Sequence, residues 1–204
     1  MNHEIYQDMR FIETMQVKEG RIVNLPFHRE RARETILYHF GITCDLPLKE
    51  LLTGTDFSSS ISGIWRLRVV YSKDIDGFTL EPYVKRDIKK IKMVDGGNIE
   101  YGYKYENRSG LEKLLLLKGE ADDILIIKGG LVTDTSFTNV VFRKGEELWT
   151  PSSCLLNGTK RRAMLKEGLI KERIIRVEDI REYQQCFLIN AFLDLLPVEV
   201  LPLK

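Results

Sequence analysis

Between residues 124 and 150 the chain breaks into strand-like segments of four or five residues separated by short turns, two of them built on glycine. Residues 124–127 read as a buried strand, Gly129-Gly130 turns into 131–135, and 139–143 and 147–150 flank the turn Lys144-Gly145-Glu146. This spacing predicts an antiparallel meander. Upstream, residues 11–25 read as a hairpin broken at Lys18-Glu19-Gly20, and Pro26 introduces a helix over 27–37 that Gly41 closes. Ile64–Tyr71 reads as a strand with Arg66 and Arg68 on one face, paired with 78–84 across residues 73–77.

Residues 85–98, rich in Lys and Asp and ending in Gly96-Gly97-Asn98, read as an interdomain connection, which divides the chain into residues 1–90 and 91–204. Beyond it, 111–118 reads as a largely buried helix, 159–169 as a helix, 174–177 as a short strand and Glu178-Asp179-Ile180 as a helix start. A buried strand over 186–191 follows, with Pro197 and Pro202 as terminators.

Composition narrows the function. With 31 Lys and Arg against 30 Asp and Glu, the formal charge of +1 provides no global field for nucleic acid or an anionic membrane. No apolar run approaches the ~20 residues of a membrane helix, and residues 1–8 lack a secretion-signal pattern, so a cytoplasmic location is expected. Cys44, Cys154 and Cys186 are too widely spaced for a disulfide framework or a Cys-x-x-Cys site and read as buried structural thiols. His3, His28 and His39 include no helical zinc pair, so no metal is expected.

Several residues have the chemistry of a site. Lys104 stands between Tyr103 and Tyr105 with Arg108 close behind. A lysine amine becomes a nucleophile towards carbonyls when burial or a nearby cation lowers its pKa; otherwise it is a surface lysine between strands. Asp134 lies where an apolar strand gives way to small polar residues. It reads as a turn aspartate or as a carboxylate set against a cationic ring nitrogen. Thr135, Thr138 and Asn139 fit as supports of that carboxylate or as turn residues. Gly158-Thr159 offers N–H groups and a hydroxyl to an anion, or caps a helix. Arg31 offers a planar fork to a phosphate, or shares a solvated face with Arg29 and Arg33.

The order of these residues carries a resemblance. Phe11-Ile12-Glu13-Thr14, the turn at Gly20, and His28-x-x-Arg31 are similar to the Phe-Glu-Thr, glycine turn and His-x-x-Arg pattern of the class IV aminotransferases, the fold-type IV pyridoxal-phosphate enzymes. Lys104, Asp134 in place of the usual glutamate, Asn139-Val140-Val141-Phe142, Thr150-Pro151 and Leu156-x-Gly158-Thr159-x-Arg161 continue it. Within the class, Lys104-x-x-Asn107-Arg108 looks most like the 4-amino-4-deoxychorismate lyases.

The resemblance implies an α+β fold of the D-amino-acid aminotransferase type, with an N-terminal α/β sandwich and a C-terminal pseudo-barrel of mixed strands with flanking helices. It implies pyridoxal 5'-phosphate held between the two domains, and a homodimer. Lys104 would be the Schiff-base lysine, Asp134 the partner of the ring nitrogen and Arg31 the phosphate ligand. Asn139, Gly158, Thr159, Asn190 and Ala191 would be further cofactor contacts, and Arg66, Arg68 or Arg108 would hold substrate carboxylates. Relatives begin with a further strand and an Asp-Arg-Gly segment where this sequence has Met1 to Arg10, so part of the first sheet and of the dimer contact is expected to differ. The implied reaction converts 4-amino-4-deoxychorismate to 4-aminobenzoate and pyruvate. The alternatives are an aminotransferase acting on a branched-chain or D-amino acid, and a noncatalytic or degenerate cofactor-binding protein.

Overall fold

The computed structural model describes residues 9–53 and 62–203; the stretch read for a secretion signal, His3 included, lies outside them. The chain divides into two compact units. One comprises Met1–Lys85 with Tyr103–Asn107, the other Arg86–Gly102 with Arg108–Lys204.

In the first unit, β1 (Phe11–Lys18) buries Phe11, Glu13, Met15 and Val17 at alternate positions, the period of a strand covered on one side. Glu19 and Gly20, both at positive φ, reverse the chain into β2 (Arg21–Ile22). The helix α1 (Leu25–Phe40) has Pro26 in its first turn, and Gly41, at φ 69°, donates its N–H to Leu37 O to end it. β3 (Ile64–Tyr71) and β4 (Ile75–Pro82) complete an antiparallel sheet of order β2-β1-β3-β4. Ala32 and Ile36 of α1 share a core with Phe11, Met15, Leu67 and Val69. Each fully buried aliphatic side chain there contributes about 1.5–3 kcal/mol relative to exposure.

The second unit is built on β5 (Lys90–Asp95), β6 (Asp123–Lys128), β7 (Leu131–Thr135), β8 (Asn139–Lys144), β9 (Glu147–Pro151), β10 (Lys171–Arg173), β11 (Gln185–Asn190) and β12 (Leu193–Leu201). The sheet order is β10-β9-β8-β11-β12-β5-β6-β7, and β7 pairs again with β8, so the run from β8 to β7 closes into a barrel. The helices α2 (Ser109–Leu115) and α3 (Thr159–Lys166) belong to this unit. The architecture is the mixed α+β one that the resemblance implies.

Several local expectations are corrected. Residues 85–98 are not a plain connection, because β5 lies within them, parallel to both β12 and β6. Its flanking lysines disguise a segment that buries Ile91, Met93 and Val94. The helix over 111–118 buries only Leu111, while Leu116 and Leu117 are exposed, since four consecutive leucines cannot all face one side of a helix. The short strand falls at β10 rather than 174–177. Pro197 lies inside β12, opposite Phe187, instead of ending it. β5 pairs with β12 only from Glu199 onward, so at Pro197 that side of the strand requires no N–H donor. Of the three thiols only Cys186 is buried; Cys44 and Cys154 are half-buried. Burial still pushes the Cys154 thiol up to about 11.

Asp123, at the start of β6, is 1% exposed. Neither carboxylate oxygen has a hydrogen-bond partner of good geometry. Burial raises its pKa, softened by the nearby Ser136 hydroxyl and Ile124 N–H. A carboxyl group whose pKa rises on folding favours the native state at low pH and loses that contribution as pH rises through the folded value. Asp123→Asn is therefore expected to raise the melting temperature at pH 7–8, on the order of 2–4 °C, and to lose this advantage near pH 4. Melting curves of the two proteins across that range check it.

Candidate active site

The carboxylate of Asp134 organises one group of candidate residues, all in the second unit. β7 delivers Asp134 and β8 begins at Asn139, and the two are direct cross-strand partners. The turn between them is closed by Thr135 and Thr138: Thr135 N–H donates to Thr138 O at 2.9 Å, Thr138 N–H to Thr135 Oγ1 at 3.1 Å, and the hydroxyls meet at 2.8 Å. Asn139 Nδ2 donates to Asp134 Oδ1 and to Leu156 O, both at 2.8 Å. Leu156 N–H donates to Asp134 Oδ2 at 2.8 Å. The pair thus fastens the loop before α3 onto the barrel. A Cβ at Gly158 would be driven into Asn139 Oδ1, so only glycine allows this closeness.

Asp134 is buried and makes no ion pair among the described residues. Burial pushes its pKa up to about 6, although the bonds from Leu156 and Asn139 and the charge of Arg161 oppose the rise. Arg161, 2% exposed, donates from Nη1 to Asn157 Oδ1 at 2.9 Å and from Nη2 to Pro151 O at 3.0 Å, and also pairs with Glu172. It anchors the Leu156–Thr159 loop at its far side. Arg108 Nη2 donates to Ser136 O at 2.8 Å and braces the turn that follows Asp134.

A second group lies in the first unit. Glu13, fully buried, accepts Arg31 Nε at 2.7 Å and Arg31 Nη2 at 2.6 Å, while His28 Nδ1–H donates to Glu13 Oε2 at 2.5 Å. Burial alone would raise the Glu13 pKa, but the Arg31 guanidinium and the His28 bond hold it at about 2. His28 is pushed below its usual value by burial, with further lowering by the positive charges of Arg31 and Lys104, against the pull of Glu13. Lys104 is thus electrostatically coupled to this group. Segment 103–107 runs beside β1, with Ile12 N–H donating to Lys104 O at 2.9 Å.

The structure brings Lys104 and Arg31 into one unit, and Asp134, Asn139, Gly158 and Thr159 into the other. Thr159 is buried in the first turn of α3. Asn190 uses its side chain locally, where Oδ1 accepts the N–H groups of Phe192 and Leu193 at 2.8 and 3.0 Å and so shapes the turn containing Ala191. Arg66 Nε donates across the sheet to Glu81 at 2.9 Å, whereas Arg68 Nη2 reaches Glu106 at 3.3 Å. Reading by residue type assigned no role to Glu13, His28, Glu106 or Arg161. The signal for Glu13 was present: a carboxylate in the apolar series Phe11, Met15, Val17 must be paired to be buried.

These donor sets suit pyridoxal phosphate. A buried carboxylate without an ion-pair partner among the described residues suits a protonated ring nitrogen, and a guanidinium held in place by Glu13 through Nε and Nη2 is a group that suits a phosphate. Among the described residues no three His, Cys, Asp or Glu groups could hold a metal, and no helix is long and apolar enough to cross a membrane.

Comparison with known proteins agrees with this chemistry. Residues 110–201 match the model of the family described as amino-transferase class IV. An uncharacterized protein of Haemophilus influenzae is 32% identical over 180 residues, covering 88% of this chain and 95% of its own. A crystal structure from Haemophilus somnus, provisionally named a 4-amino-4-deoxychorismate lyase, superposes with a TM-score of 0.82 at 31% identity over 90% of this chain and 96% of that one. One from Mesorhizobium loti, provisionally named an amino-acid aminotransferase, superposes at 0.77 with 22% identity, covering 95% of this chain and 100% of its own, and shares the fold.

Gly158 has φ −66° and ψ 150°, which any residue can adopt, so Gly158→Ala tests the contact with Asn139 alone. The substitution is expected to cost about 1–3 kcal/mol of stability through overpacking. Urea denaturation of wild type and variant measures it.

Proposed function

Because this chain belongs to the amino-transferase class IV family, whose enzymes depend on pyridoxal phosphate, we propose that it is a lyase that converts 4-amino-4-deoxychorismate to 4-aminobenzoate and pyruvate. The observation that carries this reading is the run Lys104-Tyr105-Glu106-Asn107-Arg108, held beside β1 by the bond from Ile12 N–H to Lys104 O at 2.9 Å. The likeness to the Haemophilus somnus protein supports the same reaction.

When bound, pyridoxal phosphate supplies a carbonyl carbon for an amine and a ring that accepts electrons from a neighbouring carbanion. Arg31, steadied by Glu13, would be the first unit's ligand for the phosphate, and Gly158 and Thr159 at the start of α3 would be the second unit's candidates for it. Asp134, oriented by Asn139 and Leu156 N–H, would hold the positive charge of the ring nitrogen in place. Lys104 would anchor the cofactor and, once the substrate amine has displaced it, its freed amine would take the proton from the amine-bearing carbon of the substrate and return a proton to the departing enolpyruvyl group. The C–O bond to that group breaks, the six-membered ring becomes aromatic, and the three-carbon fragment leaves as pyruvate. Working as a homodimer in the cytoplasm completes the proposal.

The test is to incubate the purified protein, supplied with pyridoxal phosphate, with 4-amino-4-deoxychorismate, and separately with branched-chain or D-amino acids plus 2-oxoglutarate. Formation of 4-aminobenzoate and pyruvate, abolished in Lys104→Ala, is the expected outcome. Glutamate formation without 4-aminobenzoate would replace the lyase with an aminotransferase.

Asp134 also predicts a pH dependence. Its pKa, raised to about 6 by burial, must fall when a cation pairs with it, so cofactor affinity should rise as pH increases through about 6 and level off above. Asp134→Asn should lack that component. Equilibrium dialysis of pyridoxal phosphate from pH 5 to 8, read as wild type minus variant, isolates it from the titration of the cofactor itself.

A further inference from the structure

The first unit carries two arginines, Arg66 and Arg68, at alternate positions of β3. In the register of β1 and β3, Thr14 faces Arg68 and Gln16 faces Arg66, one residue out of step with the buried series Phe11, Met15 and Val17. These polar residues therefore occupy the sheet face away from the α1 core. Segment 103–107 joins the same sheet edge: Lys104 O accepts Ile12 N–H, Arg10 O accepts Glu106 N–H, and Phe11 bridges to Tyr105. The Tyr105 ring packs 5.2 Å from that of Phe11, on the α1 side. Lys104 and Glu106, its neighbours, consequently fall on the face of Arg68.

On that face Glu106 binds two guanidinium groups. Arg10 Nε lies 2.8 Å from Oε2 and Arg68 Nη2 lies 3.3 Å from Oε1. Arg66 differs, because its cross-strand neighbour on β4 is Glu81, to which it is bonded. The neighbour of Arg68 is Thr79, so its carboxylate comes from Glu106 instead. Two arginines on one carboxylate leave an excess positive charge close in sequence to Lys104. The Glu106 contacts are part-exposed, and the one to Arg68 is long and single. Such a contact shifts an equilibrium by no more than roughly fivefold. An incoming carboxylate can offer Arg68 the two parallel bonds that Glu106 does not.

We propose that Arg10 and Arg68 form a subsite for a substrate carboxylate beside Lys104, and that Glu106 is its resident occupant, displaced when a carboxylate ligand binds. Glu106 is then a specificity-determining residue. It competes with a carboxylate ligand for the two guanidinium groups and leaves ligands that do not engage them unaffected. The inference rests on the reading of Lys104 as the catalytic lysine, but not on which reaction that lysine performs.

The test is calorimetric titration of the full-length, cofactor-loaded protein with 4-aminobenzoate and with its uncharged analogue 4-aminobenzamide. Glu106→Gln, which removes the competing charge at constant shape, is expected to bind 4-aminobenzoate roughly two- to fivefold more tightly, with 4-aminobenzamide unchanged. Arg68→Gln is expected to weaken 4-aminobenzoate alone. If Glu106→Gln leaves 4-aminobenzoate unchanged or weaker, or tightens both ligands equally, or if Arg68→Gln has no effect, the subsite is refuted. These outcomes are independent of turnover: a protein inactive on 4-amino-4-deoxychorismate that still shows the charge-selective change retains the subsite and loses only the lyase reading.

Discussion

The hydrogen bonds to the Asp134 carboxylate hold the second unit's candidate site together. One oxygen takes the Asn139 amide and the other takes Leu156 N–H, so a strand pair and the loop before α3 converge on a single buried charge. Asn139 closes the circle through Leu156 O, and Gly158 fits against its side chain because it has none of its own. Hydrogen bonds of this kind keep a carboxylate oriented but do not neutralise it, which is why burial still lifts its pKa to about 6.

The first unit handles a buried charge in the opposite manner. Glu13 is surrounded by Arg31 and His28, which hold its charge with three hydrogen bonds. Removing one partner from such a group leaves an unbalanced buried ion, a loss of about 3–5 kcal/mol. The guanidinium is therefore held in one orientation before any ligand arrives. Orientation fixed in advance lowers the ordering cost of binding an anion. Glu106 represents a third arrangement, half-buried and paired with two partly exposed guanidinium groups, and the three carboxylates illustrate how burial sets the environment of one chemical group.

Much of this was legible in the sequence. The strand Ile64–Tyr71, the hairpin before Pro26, the helix ended by Gly41 and the meander through Asp134 all follow from alternation and turn residues. What escaped reading depended on neighbours distant in sequence. The lysines of β5 look like linker residues until β6 and β12 are placed on either side of it. Pro197 looks like a stop until β12 is seen to lack a partner on one side there. Asp123 and Glu13 are both buried carboxylates, and only tertiary structure reveals that one is paired and the other is not. Lys104, Asp134 and Arg31 were picked out as candidates by type and order, whereas the Glu13 bonds to Arg31 and the Leu156 N–H bond to Asp134 were not, because positioning is a property of contacts.

The central claim is that Lys104 is the residue to which the cofactor attaches. Borohydride reduction of the protein with pyridoxal phosphate, followed by peptide mass mapping, tests it most directly. The account predicts one stoichiometric pyridoxyl modification on the peptide carrying Lys104, lost in Lys104→Ala. Modification confined to another lysine, or none at saturating cofactor, would contradict it.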